Sequence, residues 1–149
     1  MFFQNNIYKL NEKVIPDFKE MHSVLENNRK IFKEVSIEKR LELLNQFGRN
    51  LLRDKDIARL EGVPFLSNWL RKGNLEKLII KNLGSFEVLK DFVGDGRKKI
   101  KAQPRGIVCH YIAGNVPTLG LFSLIQSMLV GNAYMVKVPP ESQFMFLSY

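Results

Sequence analysis

The sequence predicts an α/β chain, with helices through residues 1–103 and an incomplete βαβ unit over residues 104–149. Three observations carry this expectation. Apolar residues recur at helical spacing from Phe18 to Val93, with charged residues between them. Two β-branched and aromatic runs, 107–112 and 134–138, flank an apolar segment of helical length. Charge nearly vanishes after residue 103, where only Arg105, Lys137 and Glu141 remain.

Taken in order, Pro16 can open a first helix that runs to about Lys33, with Phe18, Met21, Val24, Leu25, Ile31 and Phe32 on its apolar side. Ser36 is suited to cap a second helix, in which Ile37, Leu41, Leu44, Phe47 and Leu51 follow at helical spacing. Gly62-Val63-Pro64 breaks that pattern. A third helix is expected over Pro64–Lys72, ending near Gly73, and a fourth from about Leu75, interrupted by Gly84. Phe86 to Val93 allows another turn or two, and Gly94-Asp95-Gly96 marks a turn before a short exposed strand within Arg97–Gln103. Ile107–Ile112 is apolar on both faces, as a buried parallel strand would be, with Cys109 as a small buried hydrophobe. Leu119–Val130 reads as a helix lying against a sheet, Gly131 as its terminal cap, and Tyr134–Val138 as the second strand, stopped by Pro139-Pro140. This is one βαβ unit, with strand edges left open.

Composition narrows the function classes. Hydrophobic residues make up 45% and charged residues 26%, as in a globular domain rather than a disordered one. No apolar run reaches the length of a membrane span, and the N-terminus lacks the features of a secretory signal, so a cytoplasmic location is expected. The single cysteine excludes an internal disulfide, and the spacing of His22 and His110 suggests no metal site. No serine is marked as a nucleophile. The net charge of +8 lies mostly in residues 1–103, where basic and acidic residues alternate along the helices. That pattern describes a solvated face, and Arg97-Lys98-Lys99-Ile100-Lys101 has no interleaved aromatics, so no nucleic-acid partner is expected.

Chemistry would collect beyond the carboxyl ends of the parallel strands. Gly114 leaves backbone open to a ligand. Asn115 can face a developing oxyanion, or simply cap the following helix. Lys137 can meet a ribose or phosphate, or extend into water. His110 is expected to pack or hydrogen-bond locally.

Four segments follow one another in fixed order: Pro104-Arg105-Gly106-Ile107-Val108, Ala113-Gly114-Asn115-Val116-Pro117, Leu129-Val130-Gly131-Asn132-Ala133 and Val136-Lys137-Val138-Pro139-Pro140. Over about residues 104–142 the chain closely resembles the acyl-CoA reductases that include the fatty-acid reductase of bacterial bioluminescence, a branch of the aldehyde dehydrogenase superfamily. The resemblance implies a Rossmann-like cofactor domain, a separate catalytic domain that these residues lack, and reduction of a long-chain fatty acyl-CoA to the aldehyde through a cysteine thioester. It implies NADPH as reductant, with NADH as the alternative, and a homo-oligomeric full-length protein, with room for acyl-activating partner enzymes. By the same resemblance Asn115 stabilises the oxyanion, Lys137 contacts the adenosine ribose, and Ile112, Ala113 and Gly114 line the cofactor cleft beside Pro139 and Pro140. Two departures stand out. Ala113-Gly114 replaces the Pro-Trp that precedes the asparagine in the main branch, and Val138 separates Lys137 from the proline, displacing Glu141. Cys109 precedes Asn115, whereas the family nucleophile follows it, so no residue here matches that nucleophile. The fragment alone is therefore expected to be inactive. The rival reading is a non-catalytic binding or assembly module with a basic helical surface.

Overall fold

The computed structural model describes residues 17–113 and 117–139. Helix α1 spans Phe18–Lys33 and α2 Ile37–Arg53; a short α3 (Lys55–Ala58) leads to α4 (Val63–Trp69) and α5 (Lys72–Leu83). A 3-10 turn at Glu87–Leu89 precedes β1 (Val93–Gly94) and β2 (Lys99–Ile100); then come β3 (Ile107–Tyr111), α6 (Pro117–Leu129) and β4 (Ala133–Lys137). The arrangement is mixed α/β, as expected, with helices first and two small sheets after them.

Local chemistry sets most boundaries. Asp17 caps α1 by accepting the Lys19 N–H, and Ser36 caps α2 by accepting the Lys39 N–H. Asp54 accepts the N–H groups of Asp56 and Ile57, starting α3, an element the sequence pattern did not suggest. The third helix is shorter than expected: it begins at Val63 and closes at Trp69, with Leu70 as its C-cap. The next helix starts earlier, at Lys72, because the side-chain oxygen of Asn45 accepts the Lys72 N–H from across the α2 interface. Gly84 then ends it.

The core begins on one face of α2. Ile37, Leu41, Leu44 and Leu51 meet Ile57, Val63, Leu66, Leu70, Leu75 and Ile79 there, and Ile125 and Leu129 of α6 complete the cluster. Helices α2 and α4 approach closely at Gly48, where an added Cβ would stand 2.9 Å from that of Leu70, and Ser67 Oγ donates to the Gly48 carbonyl at 2.8 Å. On the neighbouring side, Trp69 and Phe122 meet edge to face with centroids 4.7 Å apart. Helix α1 contributes no fully buried residue. Phe18 and Ile31, expected on its apolar side, are instead 64% and 68% exposed.

Strands β1 and β2 form an antiparallel pair around Gly94-Asp95-Gly96; the second is a two-residue exposed strand, shorter than the sequence suggested. Strands β3 and β4 run parallel, with Ile107 opposite Ala133 and Tyr111 opposite Lys137. Helix α6 connects them and lies between this pair and the helical core. Only one face of β3 is therefore covered. Cys109 and Tyr111 share the other face and are exposed, Tyr111 to 81%, which corrects the expectation of a strand and a cysteine buried on both sides.

Two residues fasten α6 to its surroundings. Asn132 is buried; its Oδ1 accepts the Gly106 N–H at 3.1 Å and its Nδ2 donates to the Ser127 carbonyl at 3.2 Å, tying the end of α6 to the entry of β3. Arg40 of α2 donates from Nη1 to the Leu129 carbonyl at 3.1 Å and from Nη2 to the Phe32 carbonyl at 3.0 Å. Its guanidinium also lies 4.5 Å from the centroid of the Phe32 ring. One cation thus serves the carboxyl ends of both α1 and α6, where helix dipoles favour positive charge. Gly131 makes this possible, since its φ of +91° turns the chain at the end of α6 beside that guanidinium.

Replacing Arg40 with Ala is expected to lower unfolding free energy by about 2–3 kcal/mol, the range for losing hydrogen bonds to a charged donor. Arg40→Lys should recover part of the loss. Urea unfolding of the variants checks this, and an unchanged midpoint for Arg40→Ala would remove the proposed clamp.

Candidate functional site

A cleft of about 340 Å³ opens where β3 ends and α6 begins. Its walls include Cys109, His110, Ile112, Ala113, Gly120 and Ser123. The parallel pairing puts this cleft at the carboxyl edge of the two strands, and the first turns of α6 rise beside it. Gly120 is buried against Ile112, and a side chain there would run into Ile112, so the absence of a Cβ lets α6 pack close to the strand end.

The resemblance-derived residues fall into two groups. Ile112 and Ala113 line the cleft. Lys137 ends β4 opposite Tyr111, and its carbonyl accepts the Ile112 N–H at 3.2 Å, so its backbone adjoins the last pairing step of β3. The Lys137 side chain is exposed. Pro139 follows it and is partly buried. Gly114, Asn115 and Pro140 lie outside the described residues, as does Glu141.

One pair at the cleft was not singled out by sequence reasoning. His110 Nδ1 and Ser123 Oγ are 2.9 Å apart, joining β3 to α6. The His110 ring stands edge-on to Tyr134, with centroids 6.3 Å apart. Thirteen residues separate His110 from Ser123, so no local motif announces the pair. Burial lowers the His110 pKa below its ordinary value of 6.5 and raises that of Tyr134 above 10.0. Nε2 of His110 is buried without a hydrogen-bond partner. Burial thus favours the neutral imidazole over the charged one, and Nδ1 ties β3 to α6 through Ser123. The described residues near it include no carboxylate partner for the imidazole, so the pair lacks the third group of a hydrolytic triad. Among the described residues, no three His, Cys, Asp or Glu side chains gather as a metal site, and no helix is long and apolar enough to cross a membrane.

With this geometry in view, the comparison with known proteins is decisive about kinship. Residues 15–148 match the family model described as acyl-CoA reductase (LuxC). The chain belongs to that family. It is 33% identical over 94 residues to the long-chain acyl-protein thioester reductase of Aliivibrio fischeri, an alignment that takes in 60% of this chain and 19% of the relative. The proteins of the same description from Photobacterium phosphoreum and Photorhabdus luminescens are 28% and 25% identical over 118 residues, or 76% of this chain, and those alignments take in 23% and 24% of the relatives. The chain thus spans about a fifth to a quarter of the length of the curated relatives it matches. The family model reaches through the helical part as well as the βαβ unit, although the sequence motifs were confined to the latter.

The His110 environment has a consequence for stability. A histidine whose pKa is depressed by folding binds its proton more tightly when unfolded, so its contribution to stability is complete above 6.5 and is lost as pH falls through the lowered folded value. Between pH 7 and 5, His110→Asn should therefore lose less stability than the parent chain. Equal slopes in pH-dependent urea unfolding would show that His110 is not held neutral by burial.

Proposed function

We propose that this chain supplies the oxyanion asparagine and part of the dinucleotide cleft of an NADPH-dependent reductase of long-chain acyl thioesters. The thioester donor is an acyl-CoA, as the family description states, or an acyl-protein, as the relatives are described. What supports the reading is the family membership together with one geometric observation: the Ile112 N–H bonds to the Lys137 carbonyl, so the segment beginning at Ala113 starts beside the one carrying Lys137, at the carboxyl edge of a parallel pair. In open parallel sheets that edge is where ligands collect.

The residues fit a nicotinamide dinucleotide in chemical kind. The cleft is concave and Gly120 keeps one wall low; Lys137 is not one of its walls, but its backbone adjoins Ile112 and its exposed cation has no ion-pair partner among the described residues. In this reading Ile112, Ala113 and Gly114 present backbone to the cofactor, Lys137 contacts its adenosine ribose, and Pro139 and Pro140 border it. The bound cofactor supplies hydride. The pairing of this unit with further strands as a Rossmann-like domain is part of the same proposal. Asn115 offers its amide to the oxygen that becomes negative when a thiolate adds to the thioester carbonyl, a stabilisation aimed at the transition state. The thiolate itself is assigned to a residue outside this chain, because the only cysteine here, Cys109, precedes Asn115 and lies on the exposed face of β3. Covalent thioester chemistry requires that thiol.

The 149-residue chain is accordingly expected to show no acyl-CoA-dependent oxidation of NADPH while retaining weak NADPH binding that Lys137→Ala reduces. Steady turnover by the purified chain, abolished by Cys109→Ser, would overturn the assignment of the nucleophile.

A further inference from the structure

A second concavity lies on the helical part, remote in sequence from the β3–β4 edge. It is a groove of about 620 Å³ between α2 and the start of α5, and Arg49, Arg71 and Lys72 line it together with Asn45, Ser67 and Gly73. Among the described residues, none of the three cationic side chains has an ion-pair partner, whereas Arg29, Lys90 and Lys101 each meet a carboxylate. The one acid at the groove, Glu42, accepts a hydrogen bond from Gln46 Nε2. Three positive charges therefore line one concave surface with a single acid among them.

The frame beneath them is fixed. Buried Asn45 accepts the Lys72 N–H at 3.3 Å, and the Arg71 carbonyl accepts from Asn74 and Leu75, so the corner carrying Arg71 and Lys72 is tied to α2. Arg49 stands one helical turn beyond Asn45 on the same helix. Buried Ser67 is held by the Gly48 carbonyl. A pair of guanidinium forks and an ammonium on a rigid frame suit a compact anion with several oxygens. The volume is that of a small-molecule site, and no aromatic residue lines the groove to stack on the bases of a nucleic acid.

We propose that this groove binds the diphosphate group of a small phosphorylated ligand of the nucleotide or coenzyme A type. The proposal does not depend on the nicotinamide cleft, and its failure would leave that reading intact. Its test is a titration of the isotope-labelled chain with inorganic pyrophosphate at low ionic strength, followed by amide spectra. Saturable shifts are expected at Asn45, Ser67 and residues 71–73. Affinity should fall at least about tenfold in Arg71→Ala and in Arg49→Gln, and stay unchanged in Lys19→Ala, an exposed cation on α1, which contributes no residue to the groove. Because all three substituted side chains are exposed, unperturbed spectra of the free variants will verify folding. Displacement of pyrophosphate by coenzyme A but not ADP assigns the site to coenzyme A and its thioesters, and displacement by both assigns it to nucleotides generally; either upholds it, and displacement by neither overturns it. No saturable shift at those amides, equal weakening by Lys19→Ala, or tighter binding of a single-stranded oligonucleotide with shifts spread beyond the groove would each overturn it.

Discussion

The guanidinium of Arg40 is the contact on which the arrangement of this chain turns. It leaves α2, takes carbonyls from the last turns of α1 and α6, and has no carboxylate partner among its hydrogen bonds. Burial disfavours its charge and lowers its pKa from the ordinary value, so the carbonyl dipoles of two helix ends must hold it. Its Nε finds no partner, which makes the remaining hydrogen bonds more consequential. Elements far apart in the chain are joined at one point: Leu129 is 89 residues from Arg40. Once α6 is fixed there, Gly131 and Asn132 turn the chain into β4 and tie it to the entry of β3.

This constraint explains why a helical region belongs to a family whose motifs lie in the βαβ unit. Two parallel strands alone bury little and leave both edges unpaired. Here α6 carries Ile125 and Leu129 into the helical core while turning Gly120 and Ser123 toward the strand side. The helices thereby set the height and tilt of α6, and α6 sets the depth of the cleft beside Ile112 and Ala113. His110 and Ser123 complete that wall as a hydrogen-bonded pair, with the Tyr134 ring edge-on to the imidazole. A strand edge that is to hold a ligand needs rigid support beneath it.

Much of this was legible in the sequence where the determinant is local. Ser36, Gly84 and Gly131 act within a few residues of themselves, so their caps and turns could be read directly, and the β-branched runs of β3 and β4 announced a parallel pair. The parts that were not legible depend on which surfaces meet. The apolar periodicity of α1 cannot say that Phe18 and Ile31 remain uncovered, and the apolar run of β3 cannot say that only one of its faces meets a helix. Asp54 starts α3 inside a charged stretch that looked like solvated surface. The His110–Ser123 pair and the reach of Arg40 are tertiary contacts between residues with no shared motif. Of the site itself, the sequence supplied residue types and order, and the structure supplies the adjacency of Ile112 and Lys137.

The central claim is that the carboxyl edge of β3 and β4 receives a nicotinamide dinucleotide. Hydrogen–deuterium exchange of the chain with and without saturating NADPH tests it most directly. Slower exchange at Ile112, Ala113 and the amides around Lys137 is the expected result. Protection confined to the helical region, or none anywhere at saturation, would contradict it.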